Sequence, residues 1–247
     1  MEEKCRAVVL RAVDYKDNDK ILTLFSLENG VVSAAIRGVK RAGAKLKFAA
    51  QPFCFCEYVL RVKGDKRSVI SADIIESFYP IRENITKFYT GAVALEFVGS
   101  FMQEGMDGRE LFISLMGFLK TLCYTEVSPK IALSKFLFEG LALSGYELSV
   151  NACAKCRKTL KNRAFFDFNI GSAVCEDCRE SLDVEVNPNT LAMLSDLSHY
   201  SYDELEAVGY PLMIQNKAIK LLCHYSNVKA GVVLRAANDL MLYCKND

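Results

Sequence analysis

The sequence predicts an α+β chain, a small all-β domain followed by a helical domain with a metal-binding insertion, and three observations carry the prediction. Apolar residues alternate with a period near two over the first eighty residues. From Asn84 onward they recur at helical spacing instead. Within the helical part stand two Cys-x-x-Cys pairs, Cys153/Cys156 and Cys175/Cys178, separated by eighteen residues.

The β part comes first. Residues 5–13, 20–27, 31–37, 52–62 and 67–75 are rich in Val, Ile, Leu, Phe and Tyr, which suits five short strands. Asn29-Gly30 predicts a hairpin, because both residues tolerate positive φ in a primed turn, and Gly64-Asp65 joins the fourth and fifth strands in the same way. Asp14, Asp17, Asn18 and Asp19 cluster in a strand-joining turn, without the glycine and distal glutamate of a calcium loop. Five strands with basic connections predict a small β-barrel or sandwich.

The helices follow. Ile85, Phe88, Ala92, Leu95, Val98 and Met102 form one stripe, and Tyr89, Val93, Phe97 and Phe101 an adjacent one, so the first long helix has a wide buried face. A second is predicted over residues 109–124. A third starts at Ser128-Pro129, a capping residue followed by proline in the first turn. Asn187-Pro188 repeats that signal, and residues 214–225 and 232–243 read as two more helices. The expected organisation is therefore residues 1–80 as the β domain, 81–150 with 183–247 as one helical domain, and 151–182 as an inserted module.

Cys153, Cys156, Cys175 and Cys178 have the spacing of a structural zinc site, with two sulfurs on each of two facing turns. Redox disulfides or an iron site are the alternatives. Between the pairs, residues 164–168 alternate like a strand and Gly171-Ser172 offers a turn, the pattern of a zinc ribbon. So short a module cannot order itself by apolar burial, and the metal takes the place of a core. Lys155, Arg157, Lys158 and Arg179 would offset the charge of four thiolates. The other six cysteines sit in apolar patterns and read as small hydrophobes, with Cys54 and Cys56 on one strand face.

Composition bounds the function. The chain has 247 residues, 51% of them hydrophobic, enough to fill a core. Its apolar runs fall short of the ~18 uncharged residues of a membrane helix, and the opening Met1-Glu2-Glu3-Lys4-Cys5-Arg6 lacks a secretory pattern. A cytoplasmic protein without membrane contact is expected, its ten cysteines reduced or ligating. Charge is uneven: residues 36–67 carry nine basic side chains (Arg37, Lys40, Arg41, Lys45, Lys47, Arg61, Lys63, Lys66, Arg67) against Glu57 and Asp65. Residues 37–47 read as a mobile basic loop that can follow a phosphate backbone, with Phe48, Phe53, Phe55 and Tyr58 nearby. No phosphate-binding loop, nucleophile elbow or paired-histidine helix is present, and His199 and His224 stand in structural contexts, so an enzyme is disfavoured.

Ala7-Val8-Val9-Leu10-Arg11 with Asp14-Tyr15, residues 19–25 with Gly30, Arg37-Gly38-Val39-Lys40-Arg41, Gln51-Pro52-Phe53, and the cysteine pairs with Phe168 and Gly171 follow one another in a specific order. In that order the chain resembles, over essentially its whole length, the bacterial RecO family of recombination mediators. It implies an N-terminal five-stranded OB-fold β-barrel, an all-helical domain and an inserted four-cysteine zinc-ribbon module binding one Zn²⁺. It further implies a non-enzymatic role in DNA repair and recombination: binding single- and double-stranded DNA, annealing complementary strands, and assisting RecA loading onto DNA coated by single-stranded-DNA-binding protein (SSB), with RecR as partner and a nucleoid-associated location. By position, Arg37, Lys40, Arg41, Lys45 and Lys47 match the family's basic DNA-contacting loop. The sequence departs from the family at Ala44-Lys45-Leu46, which lacks a small hydroxyl residue, and at Ser172, where a second glycine is common. The competing reading is a zinc-ribbon adaptor for proteins, without annealing activity.

Overall fold

The structure, a computed structural model, describes residues 1–160 and 163–244. Its first eighty residues form a closed barrel of five strands, β1 (Glu2–Tyr15), β2 (Asp19–Ser26), β3 (Gly30–Ile36), β4 (Phe55–Lys63) and β5 (Lys66–Glu76). The strand order is β1-β2-β3-β5-β4, and β1 closes the ring by pairing with both β2 and β4. Antiparallel neighbours meet everywhere except at the β3–β5 seam, where Ala35 faces Ser68 in parallel. This is the topology of the oligonucleotide-binding fold. Alternation explains the interior: Leu22, Leu24, Val32, Ala34, Cys56 and Tyr58 all point into one buried cluster. Cys54 joins them with its sulfur 3.4 Å from that of Cys56, as two residues on one face require.

The turns differ in detail from expectation. At Asn29-Gly30 and Gly64-Asp65 only the glycines take positive φ. The first hairpin spends more residues in its turn, with the Ser26 hydroxyl accepting from the Glu28 and Asn29 N–H groups. Glycine is required at position 30 for a second reason, since a Cβ there would stand 2.7 Å from the Gln103 carbonyl oxygen.

A short α1 (Tyr79–Glu83), which the periodicity does not announce, precedes helices that follow in the expected order: α2 (Ile85–Phe101), α3 (Arg109–Tyr124) and α4 (Pro129–Leu143), then α5 (Pro188–Leu197), α6 (Leu212–Ala230) and α7 (Ala236–Tyr243), the last starting at Ala236 rather than at residue 232. Asn187 caps α5 as predicted, its side chain accepting the Asn189 N–H at 2.9 Å. Ser128 does not cap α4. Its hydroxyl donates instead to the Gln215 side chain at 2.6 Å, a tertiary bond replacing a local one. The buried face of α2 also begins later than its periodicity suggests, for Ile85 and Phe88 in its first turn are exposed.

By compactness the chain divides into Met1–Asn84 with Leu95–Leu119, and Ile85–Ala94 with Lys120–Asp247. In the first unit Phe112 of α3 packs on Phe25 and Phe55, with ring centroids 5.4 and 5.7 Å away. In the second, α4 is the central helix and even its lysines are buried. Lys130 donates to the Cys244 carbonyl at 2.6 Å, and Lys135 to the Leu197 carbonyl at 3.2 Å while pairing with Glu139. Among the described residues no helix is long and apolar enough to cross a membrane.

Candidate nucleic-acid groove and metal centre

The β1–β2 turn, the faces of β2 and β3, and the β4–β5 turn enclose a groove of about 850 Å³ on the barrel. Arg37, Arg61, Lys63, Lys66 and Arg67 line it, as does Lys16, which the local charge run did not single out. Ile21 and Ala35 lie among them on the strands, and Asp19 and Asp65 are the acidic residues of the lining. In this fold the β2–β3 face and the β1–β2 and β4–β5 loops are where oligonucleotides bind. The groove is built from segments far apart in sequence.

The nine expected cations therefore divide. Arg37, Arg61, Lys63 and Lys66 are exposed in the groove, with Arg61 loosely paired to Glu2 at 3.8 Å. Arg67 lines it too, but its side chain is only 16% exposed and is held by Glu104 at 2.8 Å and Glu3 at 3.6 Å. Lys40, Arg41, Lys45 and Lys47 lie outside the lining, exposed on the segment that leaves β3. That segment is a series of hydrogen-bonded turns rather than a featureless loop. Arg41, Ala44 and Lys47 each donate a backbone N–H to the carbonyl three residues back, and Val39 and a short 3₁₀ turn, Phe48–Ala50, anchor it in the barrel core.

Residues in and beside the β1–β2 turn tie these turns to the groove. Asp19 accepts the Gly38 N–H at 2.8 Å, and Lys40 donates its backbone N–H to the Asn18 carbonyl at 3.1 Å. Asp14 pairs with Lys40 at 2.7 Å and Lys20 at 3.5 Å. The Lys40 hydrogen bond, with the charge of Lys20, holds the Asp14 carboxyl below the usual carboxylate value. Of the neighbouring aromatics, Phe53 and Tyr58 are core residues and Phe48 and Phe55 half-buried; the ring in the groove is Tyr15.

In the second unit the four cysteines converge. The sulfurs of Cys153, Cys156, Cys175 and Cys178 all lie within 4.8 Å of one another, and that cluster can hold a metal ion. The first pair sits on a tight turn closed by Cys153 N–H to Lys158 O and Arg157 N–H to Cys153 O, each 2.9 Å. The second spans the end of β7 (Ser172–Cys175) and the 3₁₀ turn Glu176–Cys178. With β6 (Ala164–Asp167) and β8 (Val184–Val186), β7 completes a three-stranded antiparallel sheet in the order β7-β6-β8.

The donor set suits a cation. Burial raises the Cys153 thiol, but hydrogen bonds from backbone N–H groups, including those of Cys156 and Cys175, outweigh it and bring the group to about 6. Hydrogen bonds to the Cys156 and Cys175 sulfurs push Cys178 up to about 12. Four clustered sulfurs cannot all become thiolates unless a positive charge sits among them. The surrounding cations are largely committed elsewhere: Lys155 pairs with Glu180, Lys158 with Asp177 at 3.3 Å, and Arg179 lies 4.8 Å from the Phe165 ring centre.

The ribbon is seated on α6. Phe168 meets His224 edge-on at 4.6 Å, Phe166 meets Tyr225 at 6.0 Å, and Lys229 donates to the Asn169 carbonyl. Gly171 permits the contact. Its φ is +67°, and a Cβ there would stand 2.3 Å from the Tyr225 hydroxyl oxygen. Gly171→Val is expected to lower stability by roughly 2–4 kcal/mol, read as a drop in Tm, with Tyr225→Phe restoring part of it. An unchanged Tm would show that the ribbon is not packed on this helix.

Comparison with known proteins agrees with this arrangement. The family profile described as Recombination protein O N terminal matches residues 1–78, and that described as Recombination protein O C terminal matches residues 82–232. The chain belongs to the RecO family. Relatives named DNA repair protein RecO include one from Caldicellulosiruptor bescii, 27% identical over 87% of either chain, and one from Caldicellulosiruptor saccharolyticus, 29% identical over 90% of this chain and 91% of the relative. Another, from Streptomyces coelicolor, is 31% identical over 77% of this chain and 79% of the relative. This RecO-family chain is thus a DNA repair protein whose N-terminal family region coincides with the barrel and its groove, and whose C-terminal family region contains all four clustered cysteines.

Proposed function

We propose that this chain is a recombination mediator without catalytic activity of its own. It binds single- and double-stranded DNA, anneals complementary strands and assists RecA loading onto SSB-coated DNA, with RecR as its partner in the cytoplasm and nucleoid. The observation that carries the reading is the convergence of Lys16, Arg37, Arg61, Lys63 and Lys66 on one groove between the β1–β2 and β4–β5 turns. Cations drawn from three segments onto one surface follow a phosphate backbone, where release of counterions supplies the free energy. Lys40, Arg41, Lys45 and Lys47 extend the positive surface beyond the groove, on turns joined to it through Asp14 and Asp19.

The metal in this reading is one structural Zn²⁺. Four thiolates and no histidine form a closed donor set that leaves no position for substrate. A tetrahedron with zinc–sulfur bonds of about 2.3 Å has edges of about 3.8 Å, and the 3.6 Å between the Cys156 and Cys175 sulfurs suits it. The role is to brace the ribbon against α6.

The test is the affinity for a labelled single strand across a salt series. A logarithmic slope steeper than about −3 is expected, from roughly 0.7 per neutralised phosphate and at least five contacts. An affinity that barely changes with salt would overturn the phosphate-dominated reading.

A further inference from the structure

We infer that Tyr15 is the stacking residue of the groove, the side chain by which it takes an unpaired base and favours single strands over duplex. The inference rests on the DNA-binding reading and adds to it a residue and a basis for selectivity. Tyr15 is the one aromatic side chain among the described residues lining the groove. It is 47% exposed at the end of β1, whose core residues are Cys5 and residues 7–10 and which turns outward from Val13 on. A large ring left half open in a cationic groove is poor protein packing and good base packing, because a planar base covers the ring while its phosphates reach the surrounding cations.

The surroundings of Tyr15 support the assignment. Lys16 adopts φ +56°, a left-handed conformation unfavourable for a residue other than glycine. That conformation places its ammonium 5.4 Å from the Tyr15 ring centre. The turn beyond is fastened on both sides, by Asp14 to Lys20 and Lys40 and by Asp19 to the Gly38 N–H. The ring is thus held ready before a ligand arrives, which lowers the ordering cost of binding. Duplex DNA keeps its bases stacked on one another and offers the ring no free face; its affinity comes from the cations alone.

The full chain contains no tryptophan, so Tyr15→Trp introduces a single reporter. Titration with a thymidine oligomer of about 15 nucleotides is expected to quench its fluorescence, while a duplex of equal length binds with little quenching. Tyr15→Ala is expected to weaken single-strand binding about tenfold and leave duplex binding within about twofold, and Tyr15→Phe to keep both. A uridine oligomer run alongside distinguishes DNA from RNA as the source of the stacked base. If wild type binds both forms and Tyr15→Ala changes neither, or weakens both equally, the stacking role is overturned while the DNA-binding reading stands. If wild type binds no nucleic acid, the underlying reading fails instead.

Discussion

Serine at Cys153 or Cys175 is expected to abolish zinc binding and unfold the ribbon. Elemental analysis of protein purified under reducing conditions should read one zinc per chain for wild type and none for either variant. The magnitude follows from how little else orders the module. Among the described residues its buried cluster holds Cys153, Phe165, Val174 and Cys175, so two of these four are themselves ligands. Structural zinc contributes on the order of 10 kcal/mol in small domains of this kind, far more than these few apolar contacts can replace. Limited proteolysis should then cut within residues 151–182, whereas Cys54→Ala, in the barrel core, should leave the zinc in place. Full zinc occupancy in the Cys153→Ser protein would contradict the assignment. Strand affinity is expected to survive the loss of metal, because the groove is made wholly of residues from the other compact unit.

The second large effect belongs to the groove. Alanine at Arg37, Arg61, Lys63 and Lys66 together should weaken single-strand binding by about a hundredfold near 0.1 M salt and reduce the logarithmic salt slope by about 3, since each cation lost is one phosphate no longer neutralised. The loss should be similar for every sequence, as contacts to phosphate carry no base information. Alanine at Lys40, Arg41, Lys45 and Lys47 should cost less, about tenfold, because Lys40 already spends part of its charge on Asp14. Fluorescence anisotropy with a labelled strand distinguishes the two sets. A larger loss from the turn set would move the main DNA path out of the groove.

Much of this architecture is legible in the sequence, for identifiable reasons. The change from period two to helical spacing near Asn84 is a property of contiguous residues, and the barrel ends and helices begin there. The cysteine spacing is equally local, and the four sulfurs meet as it implies. What escapes the sequence depends on distant partners. Ser128 leaves its expected cap for Gln215, eighty-seven residues away, and Lys130 and Lys135 are buried because carbonyls of remote helix ends receive them. The groove belongs to the same class. A contiguous charge run draws attention to residues 37–47, yet Lys16 stands alone beside Tyr15 and becomes part of a basic surface only when the β4–β5 turn folds opposite it. The signal that could have found it is a lysine and an exposed aromatic in the first loop of a five-stranded barrel, where the fold places its ligands. Arg67 is the reverse case: part of the charge run by sequence, it is largely occupied by Glu3 and Glu104 once folded.

The proposed role of the groove in pairing DNA strands is tested most directly by the annealing rate of complementary single strands precoated with SSB, measured by the quenching of paired fluorophores. Wild type should accelerate annealing well above the spontaneous rate, and the protein with alanine at Arg37, Arg61, Lys63 and Lys66 should lose most of that acceleration. Wild type annealing no faster than the coated strands alone, or the quadruple variant annealing as fast as wild type, would contradict it.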